Sequence, residues 1–356
     1  MTYADRWEGK TVLVTGGAGS IGSNLCRTLS DLGAKLVVIL DDLSAAYEWN
    51  IPSAPNILFV KRSVTDDVSL KRVFQEGPDI VYHLAAFFAN QNSVDYPERD
   101  LEVNGLGLLR VLEYSQMCKV GRLVYASSGC SIYGSHAPLP LREEFMSMHL
   151  TTPYQITKML GELYCNFFHH HYGLPVVKPR FFNSYGPGEV PGQYRNVIPN
   201  FIYWALRGEP LPITGNPDAT RDFTYVGDIV EGLLSVAWSP DCVGAEMNLA
   251  SETEITIGRL AEMINRMTDN PAGITIVGKR KWDTKARLLA SCDRARTLIG
   301  YEPRTPFDDG LAKTIAWFRE NWANIEKSAS FPRGTSSAVR GVNQSPSHKE
   351  LVELEI

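Results

Sequence analysis

The sequence has no surplus of positive charge: 35 lysines and arginines against 40 aspartates and glutamates leave a net charge of −5. A nucleic-acid binder would show a basic face or a Lys/Arg cluster, so nucleic acid is not an expected partner. Long apolar runs are also missing. Nothing approaches the roughly 18 uninterrupted apolar residues of a membrane span. The first ten residues, MTYADRWEGK, lack a cationic segment followed by an apolar one. A cytoplasmic protein that does not engage membranes is the expectation. Cysteine is sparse, with Cys26, Cys118, Cys130, Cys165, Cys242 and Cys292 scattered and no CxxC pair. That argues against a disulfide framework and against zinc, and no metal is expected. The run His169–His171 does not change this, because consecutive helix positions point about 100° apart and cannot converge on one ion.

The 356 residues are 44% hydrophobic and 21% charged, an ordinary globular composition with length for roughly two domains. The first forty residues carry the clearest architectural signal. Thr11 to Thr15 (TVLVT) is a β-branched run, Gly16 to Gly22 is glycine-rich, Ile21 to Leu32 is helical in pattern until Gly33, and Lys35 to Leu40 repeats the strand pattern before Asp41-Asp42. Both strands are almost continuously apolar, as buried parallel strands are. Ile57–Lys61, Ile80–Leu84, Arg122–Ser127 and Val176–Arg180 read as further strands, with helices around Val68–Gln75, Arg99–Cys118 and Tyr154–Tyr172. This alternation predicts an α/β fold with a Rossmann-type doubly wound parallel sheet and a smaller, discontinuous α/β substrate-binding domain. The expected division is 1–183 for the dinucleotide-binding domain, with parts of about 225–250 returning to it, and 184–325 mainly for the second domain. A Ser/Gly/Pro-rich tail over 326–356 has few large apolar residues to offset its ordering entropy.

Glycines at 16, 19 and 22 follow a strand and open a helix. Such a backbone can turn sharply and approach a pyrophosphate, and the helix N-terminus then faces the anion with unpaired N–H groups. Asp41 ends the second strand nineteen residues beyond Gly22, where a carboxylate bonds ribose hydroxyls and repels a 2′-phosphate. NAD is therefore the expected cofactor, held by Gly16, Gly19, Ser20, Ile21, Gly22 and Asp41.

Tyr154 and Lys158 stand four residues apart after Pro153, on one face of a helix. Lowering a phenol pKa from about 10 to about 7 requires roughly 4 kcal/mol. One positive charge about 5 Å away at an effective dielectric of about 20 supplies roughly 3 kcal/mol. The pair can therefore act as a general base that takes a proton from a carbinol while hydride leaves the same carbon.

These residues carry a resemblance. TGGAGSIG at 15–22, DDLS at 41–44, HLAA at 83–86, Asn104 in EVNGLG, SSGCSIYG at 127–134, the Tyr154/Lys158 pair, RFFNSYGPG at 180–188, RDFTYVGD at 221–228 and LIGYEP at 298–303 occur in that order. Over about residues 10 to 320 the chain resembles an extended short-chain dehydrogenase/reductase of the NAD-dependent epimerase/dehydratase family acting on nucleotide sugars. The resemblance adds Asp42, Ser44, Ser63, Val64, Leu84, Ala85, Ala86 and Asn104 to the cofactor site, together with Tyr154 and Lys158. It implies that Asn183, Arg221 and Arg280 face a nucleotide diphosphate, with Asn196 and Val197 near the sugar or uridine and Cys130 and Ser131 against the sugar. The family serine or threonine position falls on Gly129, so Ser128, with Ser127 second, is expected to assist Tyr154. The family also implies a homodimer through the helices around 99–118 and 154–172.

Family dehydratases carry Asp-Glu where this chain has Cys130-Ser131, and sugar-nucleotide decarboxylases usually keep the Glu. Neither acid is present, which favours 4-epimerisation of a UDP-hexose or UDP-hexuronic acid over elimination or decarboxylation, the alternatives on this scaffold. A non-catalytic NAD sensor is the reading from another class, and it would be expected to have a broken Tyr/Lys pair. Ser63 stands where the family often has an Asp, and Phe88 where some galactose epimerases have a Lys. Arg195, Lys285 and Arg287 are candidate cations for a substrate carboxylate at C6.

Overall fold

The computed structural model describes residues 6–279 and 285–331. Strands β1 (Thr11–Thr15), β2 (Leu36–Asp41), β3 (Ile57–Lys61), β4 (Ile80–His83), β5 (Arg122–Tyr125), the two-residue β6 (Ser127–Ser128) and β7 (Val176–Phe181) belong to one sheet. The chain then forms the short β8 (Ser184–Tyr185), β9 (Leu211–Thr214), β10 (Thr220–Asp222) and β11 (Thr224–Tyr225) before β12 (Glu246–Leu249) returns to the sheet beside β7. The spatial order is β12-β7-β5-β4-β1-β2-β3, all parallel, with β6 also on β7. Strand order reverses between β1 and β4, which opens the crevice where such sheets bind ligands.

Two apolar layers sandwich the sheet, because successive side chains of a strand point to opposite faces. Val12, Val14, Val37, Ile39 and Tyr82 join Leu25, Leu29, Ile229 and Leu233 on one face. Leu13, Val38, Leu40 and Val81 join Leu70, Val111, Leu112, Cys165 and Phe168 on the other. The helices supplying these layers are α1 (Ser20–Asp31), α2 (Asp67–Phe74), the short α3 (Asn90–Asp95) and α4 (Pro97–Asp100), α5 (Leu108–Met117), the single turn α6 (Gly129–Ile132) and α7 (Pro153–Tyr172). Between α4 and α5 the residues Leu101–Gly107 run as π-helix, so the long helix expected around 99–118 is present but widened by a π segment.

A third buried cluster is built from α8 (Val197–Leu206), α10 (Ile257–Thr268) and α12 (Phe307–Glu320), around Phe201, Ile202, Leu260, Ile264, Leu311 and Phe318. In between, α9 (Val226–Val236) packs on α1, and α11 (Asp293–Ile299) lies against β12. Helix α13 (Trp322–Ser328) and residues 329–331 stay on this cap. The expectation that the tail begins at 326 is corrected for 326–331: Ser330 bridges to Gly192, and the Phe331 ring stacks 5.5 Å from that of Tyr203. Contacts of the Phe331 ring with Tyr203 and Trp204 hold this short stretch on the cap. Residues 332–356 lie outside the described residues. Among the described residues no helix is long and apolar enough to cross a membrane, and no cluster of His, Cys, Asp and Glu is arranged to hold a metal.

Candidate active site

β1 runs straight into the glycine loop. Gly16 has φ +72°, and a Cβ there would lie 2.6 Å from the Ala85 nitrogen; a Cβ on Gly22 would lie 2.2 Å from the Gly16 oxygen. Only glycine lets α1 sit this close to the strand ends. α1 has no acidic residue in its first turn and Gly19 offers no capping side chain, so its first N–H groups remain for an anion. The Ser20 hydroxyl beside them is buried without a partner. Asp41 is fixed at the end of β2, where its carboxylate accepts from the Ala18 N–H at 3.0 Å and the Leu43 N–H at 2.9 Å. Burial pushes its pKa up and those two bonds oppose the rise. Asp42 accepts from the Ser44 N–H at 2.9 Å and lies 3.9 Å from the Arg99 guanidinium.

These groups line a cavity of about 340 Å³ together with Ile21, Ser63, Val64, Leu84, Ala85 and Ala86 on the sheet side and Glu189, Arg195 and Asn196 on the cap side. The glycine cradle, the open helix end, the orphaned Ser20 hydroxyl and the fixed Asp41 fit a dinucleotide. Two of the expected cofactor residues have their side-chain polar atoms bonded to other protein groups. Ser63 Oγ is engaged with Thr65, by hydroxyl and backbone N–H. Asn104 is buried behind the wall, where its Oδ1 accepts from the Phe87 N–H at 2.7 Å and its Nδ2 donates to Asp100 at 2.8 Å. It braces the segment after β4 instead of reaching into the cavity.

Tyr154 and Lys158 open α7, whose start is set by Thr152 accepting from the Gln155 N–H and by Pro153 at the first helical position. Both line the cavity. Lys158 Nζ donates to the Ala126 carbonyl at 2.9 Å and stands 5.6 Å from the centre of the Tyr154 ring. Burial is the largest influence on each: it drives the Tyr154 pKa up, with Asp100 and Cys130 adding to the rise, and the Lys158 pKa down to about 8 against a raising effect from Asp100. The expected fall of the phenol's pKa through the lysine is not found, because burial, the largest influence, raises it. Asp100 was not foreseen. It is fully buried, accepts from Thr157 Oγ1 and Asn104 Nδ2 at 2.8 Å each, and burial raises its pKa to about 6. Neighbouring His83 is held neutral, its pKa pushed down to about 3 by burial and by Lys158, and its Nδ1 lies 2.8 Å from Thr15 Oγ1.

The two serines separate clearly. Ser127 Oγ donates to Glu162 at 2.5 Å, and Glu162 is paired with Arg180 at 2.8 Å inside the core. Ser127 is thus tied to a buried ion pair. Ser128 lines the cavity and donates to Ser131 Oγ at 3.0 Å. Gly129 occupies the family's hydroxyl position because a Cβ there would lie 1.9 Å from the Phe182 ring.

A second cavity of about 340 Å³ adjoins the first and shares Phe88, Cys130, Asn183, Arg195 and Asn196 with it. Val197, Arg221 and Lys285 line it. Cys130 Sγ accepts from the Asn183 N–H at 3.3 Å, and burial raises its pKa. It is a packed thiol facing a ligand space. Arg221 donates to the carbonyls of Thr220 and Lys285, while the neighbouring Asp222 accepts from Ser251 and Ala290. Arg280 lies outside the described residues. Of the three cations considered for a C6 carboxylate, Arg195 and Lys285 line the cavity. Arg287 is mostly exposed and pairs with Glu254, which removes it from that role.

Phe88 and Glu189 also belong to the site. The Phe88 ring meets the Tyr154 ring edge-on at 6.0 Å. Glu189 accepts from Asn196 Nδ2 at 2.8 Å, and burial raises its pKa to about 7. A lone Glu in a Pro/Gly-rich loop gives no sequence signal of this.

Residues 12–250 match the profile of the NAD dependent epimerase/dehydratase family. The chain is 33% identical over 311 residues to a UDP-glucose 4-epimerase of Mycolicibacterium smegmatis, covering 86% of this chain and 98% of that protein. Among solved structures, the epimerase Mth375 of Methanothermobacter thermautotrophicus superposes with a TM-score of 0.91 at 56% identity, covering 92% of this chain and 98% of that one. The enzyme WbmF of Bordetella bronchiseptica, in complex with NAD+ and UDP, superposes with a TM-score of 0.80 at 36% identity, covering 90% and 96%.

Proposed function

The chain belongs to the NAD-dependent epimerase/dehydratase family, and on that premise we propose that it is a nucleotide-sugar epimerase inverting C4 of a UDP-hexose or UDP-hexuronic acid. The observation that carries this reading is one cavity wall on which Tyr154, Lys158 and Ser128 stand together while Cys130 and Ser131 supply no carboxylate. Elimination needs a positioned acid and base at those two places. Inversion through a 4-keto sugar needs one group that can remove and return the O4 proton.

NAD+ is the cofactor, and when bound it supplies the acceptor and donor for the C4 hydride. Tyr154 takes the O4 proton as the alcohol is oxidised and gives it back after the sugar has turned its other face. Lys158, anchored on the Ala126 carbonyl, keeps a cation beside the phenol. Ser128 hydrogen-bonds O4 and positions it. Arg221 and Asn183 line the adjoining cavity, where a guanidinium can grip the UDP diphosphate with two parallel charge-assisted bonds. The same reading assigns a homodimer, because α7 and the π segment that packs on it leave Leu101, Leu106, Ile156, Leu163 and Phe167 exposed.

Incubating the purified protein with UDP-glucose, UDP-GlcNAc and UDP-glucuronate and following the sugars by NMR tests the reading. Accumulation of a C4 epimer is expected. Release of CO2 or of water would assign the chain to a decarboxylase or dehydratase, and retained NAD without turnover would make it a sensor.

A further inference from the structure

The loop from Glu189 to Asn196 belongs to the cap, yet it touches the sheet domain at three separate places. At its root, Asn24 Nδ2 donates to the Pro187 carbonyl at 2.8 Å, and the buried Asn50 donates to the Gly188 carbonyl at 3.0 Å and to Ala18 in the glycine loop at 3.3 Å. Near its end, the Arg195 guanidinium donates to the carbonyl of Ala45, in the loop that follows Asp41 and Asp42. Tyr194 donates to Asp95 at 3.0 Å. Ala45 and Arg195 both line the first cavity, so their bond joins the loop after β2 to the cap at the cavity's wall.

The chain's later residues fasten the same loop from outside. Tyr47 OH donates to the Ser328 carbonyl at 2.8 Å and Trp49 Nε1 to the Ser328 hydroxyl at 3.0 Å. Two residues on, the Ser330 carbonyl accepts from the Gln193 N–H at 3.2 Å. Trp49 also stacks on Trp317, 5.9 Å between ring centres. One short segment therefore ties the loop after β2 to the 189–196 loop, and these two loops are the opposite lips of the dinucleotide groove.

We propose that residues 189–196 form a strap across the bound dinucleotide, with Arg195 as a cofactor-binding residue that pins it and Ser328–Ser330 as its staple. Arg195 lines the same cavity as the carboxylates of Asp41 and Glu189, and its charge acts to lower the pKa of both. Release of the cofactor then requires the strap to lift. The inference rests on NAD as the cofactor and is independent of which sugar is turned over.

The test is the release of adenine-labelled NAD from the loaded full-length protein, chased with excess unlabelled NAD. Arg195→Ala is expected to release label about tenfold faster and Arg195→Lys to recover part of the loss, since affinity changes within one site fall mostly on the dissociation rate. The double variant Tyr47→Phe/Ser328→Ala, which leaves the cavity wall untouched, is expected to release label severalfold faster, on the order of the loss of one or two hydrogen bonds. Arg207→Ala, an exposed cap arginine paired with Glu209 and Glu326, should match the parent. Release within twofold of the parent for both Arg195→Ala and the double variant would overturn the proposal. So would an Arg195→Ala protein that releases NAD normally but shows a raised KM for the sugar nucleotide, because Arg195 would then serve the substrate. Should Arg195→Ala fail to fold, the double variant decides alone.

Discussion

At the scale of single residues, the site is governed by burial working against charge. Asp100 is the case with the widest consequence. Its carboxylate is one of three groups, with Cys165 and Glu162, that oppose the desolvation of Lys158, and it also raises the pKa of Tyr154. Removing its charge should therefore lower both values. In Asp100→Asn the alkaline limb of the kcat/KM profile, where Lys158 loses its proton from about 8 in the parent, is expected to move to lower pH. A variant that lost activity with that limb in place would show that Asp100 only holds Thr157 and Asn104. The sign for stability differs between the two groups. The native pKa of Lys158 is depressed, so its burial cost is present below about 8 and relieved as pH rises toward the unfolded value near 10.4. That of Asp100 is raised to about 6, so its cost is absent below the unfolded value and develops as pH rises to about 6.

Gly129 makes the opposite point, that a residue can be fixed by shape alone. The family's hydroxyl position is vacant here because the Phe182 ring fills it. Restoring the hydroxyl with Gly129→Ser is expected to destabilise the fold by about 1–3 kcal/mol through overpacking, read as a lower denaturant midpoint at unchanged slope. A neutral or stabilising effect would mean that Phe182 moves aside freely. Nothing in the sequence pairs Gly129 with Phe182, since the contact is made across β6 and β7.

At the scale of elements, the apolar runs were legible and the polar interiors were not. β1 ends where its β-branched and apolar run ends, because a strand covered on both faces needs nothing else. β12 escaped notice because it carries Asn248 at its centre, fully buried and satisfied by Glu143, Leu141, Ser291 and Tyr133. A buried polar residue of this kind is defined by its partners, and those come from distant segments. The glycine loop, Asp41, Tyr154 and Lys158 were readable because their chemistry depends on local spacing. Asp100, Glu189 and the commitment of Ser127 to Glu162 were not, because each depends on what the fold brings alongside. Helix α7 holds both proposed catalytic side chains in its opening turns, so on that proposal its N-terminus bears on the chemistry directly. Thr152→Ala removes the cap and also the bond from Thr152 Oγ1 to Asn90. The expected loss is about 1 kcal/mol of stability, measured by thermal melting, with a fall in kcat larger than the fall in NAD affinity. Equal falls in both would mean that the cap supports the whole groove.

At the scale of the whole molecule, the chain leaves the sheet at residue 181 and returns to it with α9, β12 and α11 before closing the cap. The cap cannot then drift far from the groove, and the two cavities stay adjacent through many crossings of the chain. This arrangement leaves apolar side chains of α7 and the neighbouring π segment uncovered. Ile156, Leu163 and Phe167 recur along one stripe of α7 and stay 53%, 49% and 47% exposed, while Leu101 and Leu106 stand on the neighbouring π segment at 55% and 42%. A contiguous apolar stripe on packed helices is what an isologous interface buries, each copy offering the same patch to the other. The homodimer proposed from this face should run at about twice the chain mass of 39.6 kDa in light scattering. Leu163→Glu, which places a charge at the middle of the stripe, should run as a monomer with its NAD still bound, because Leu163 is not among the residues lining either cavity. A parent protein that is monomeric at micromolar concentration would remove the interface, and the stripe would then have to be covered by something other than a second copy of this chain.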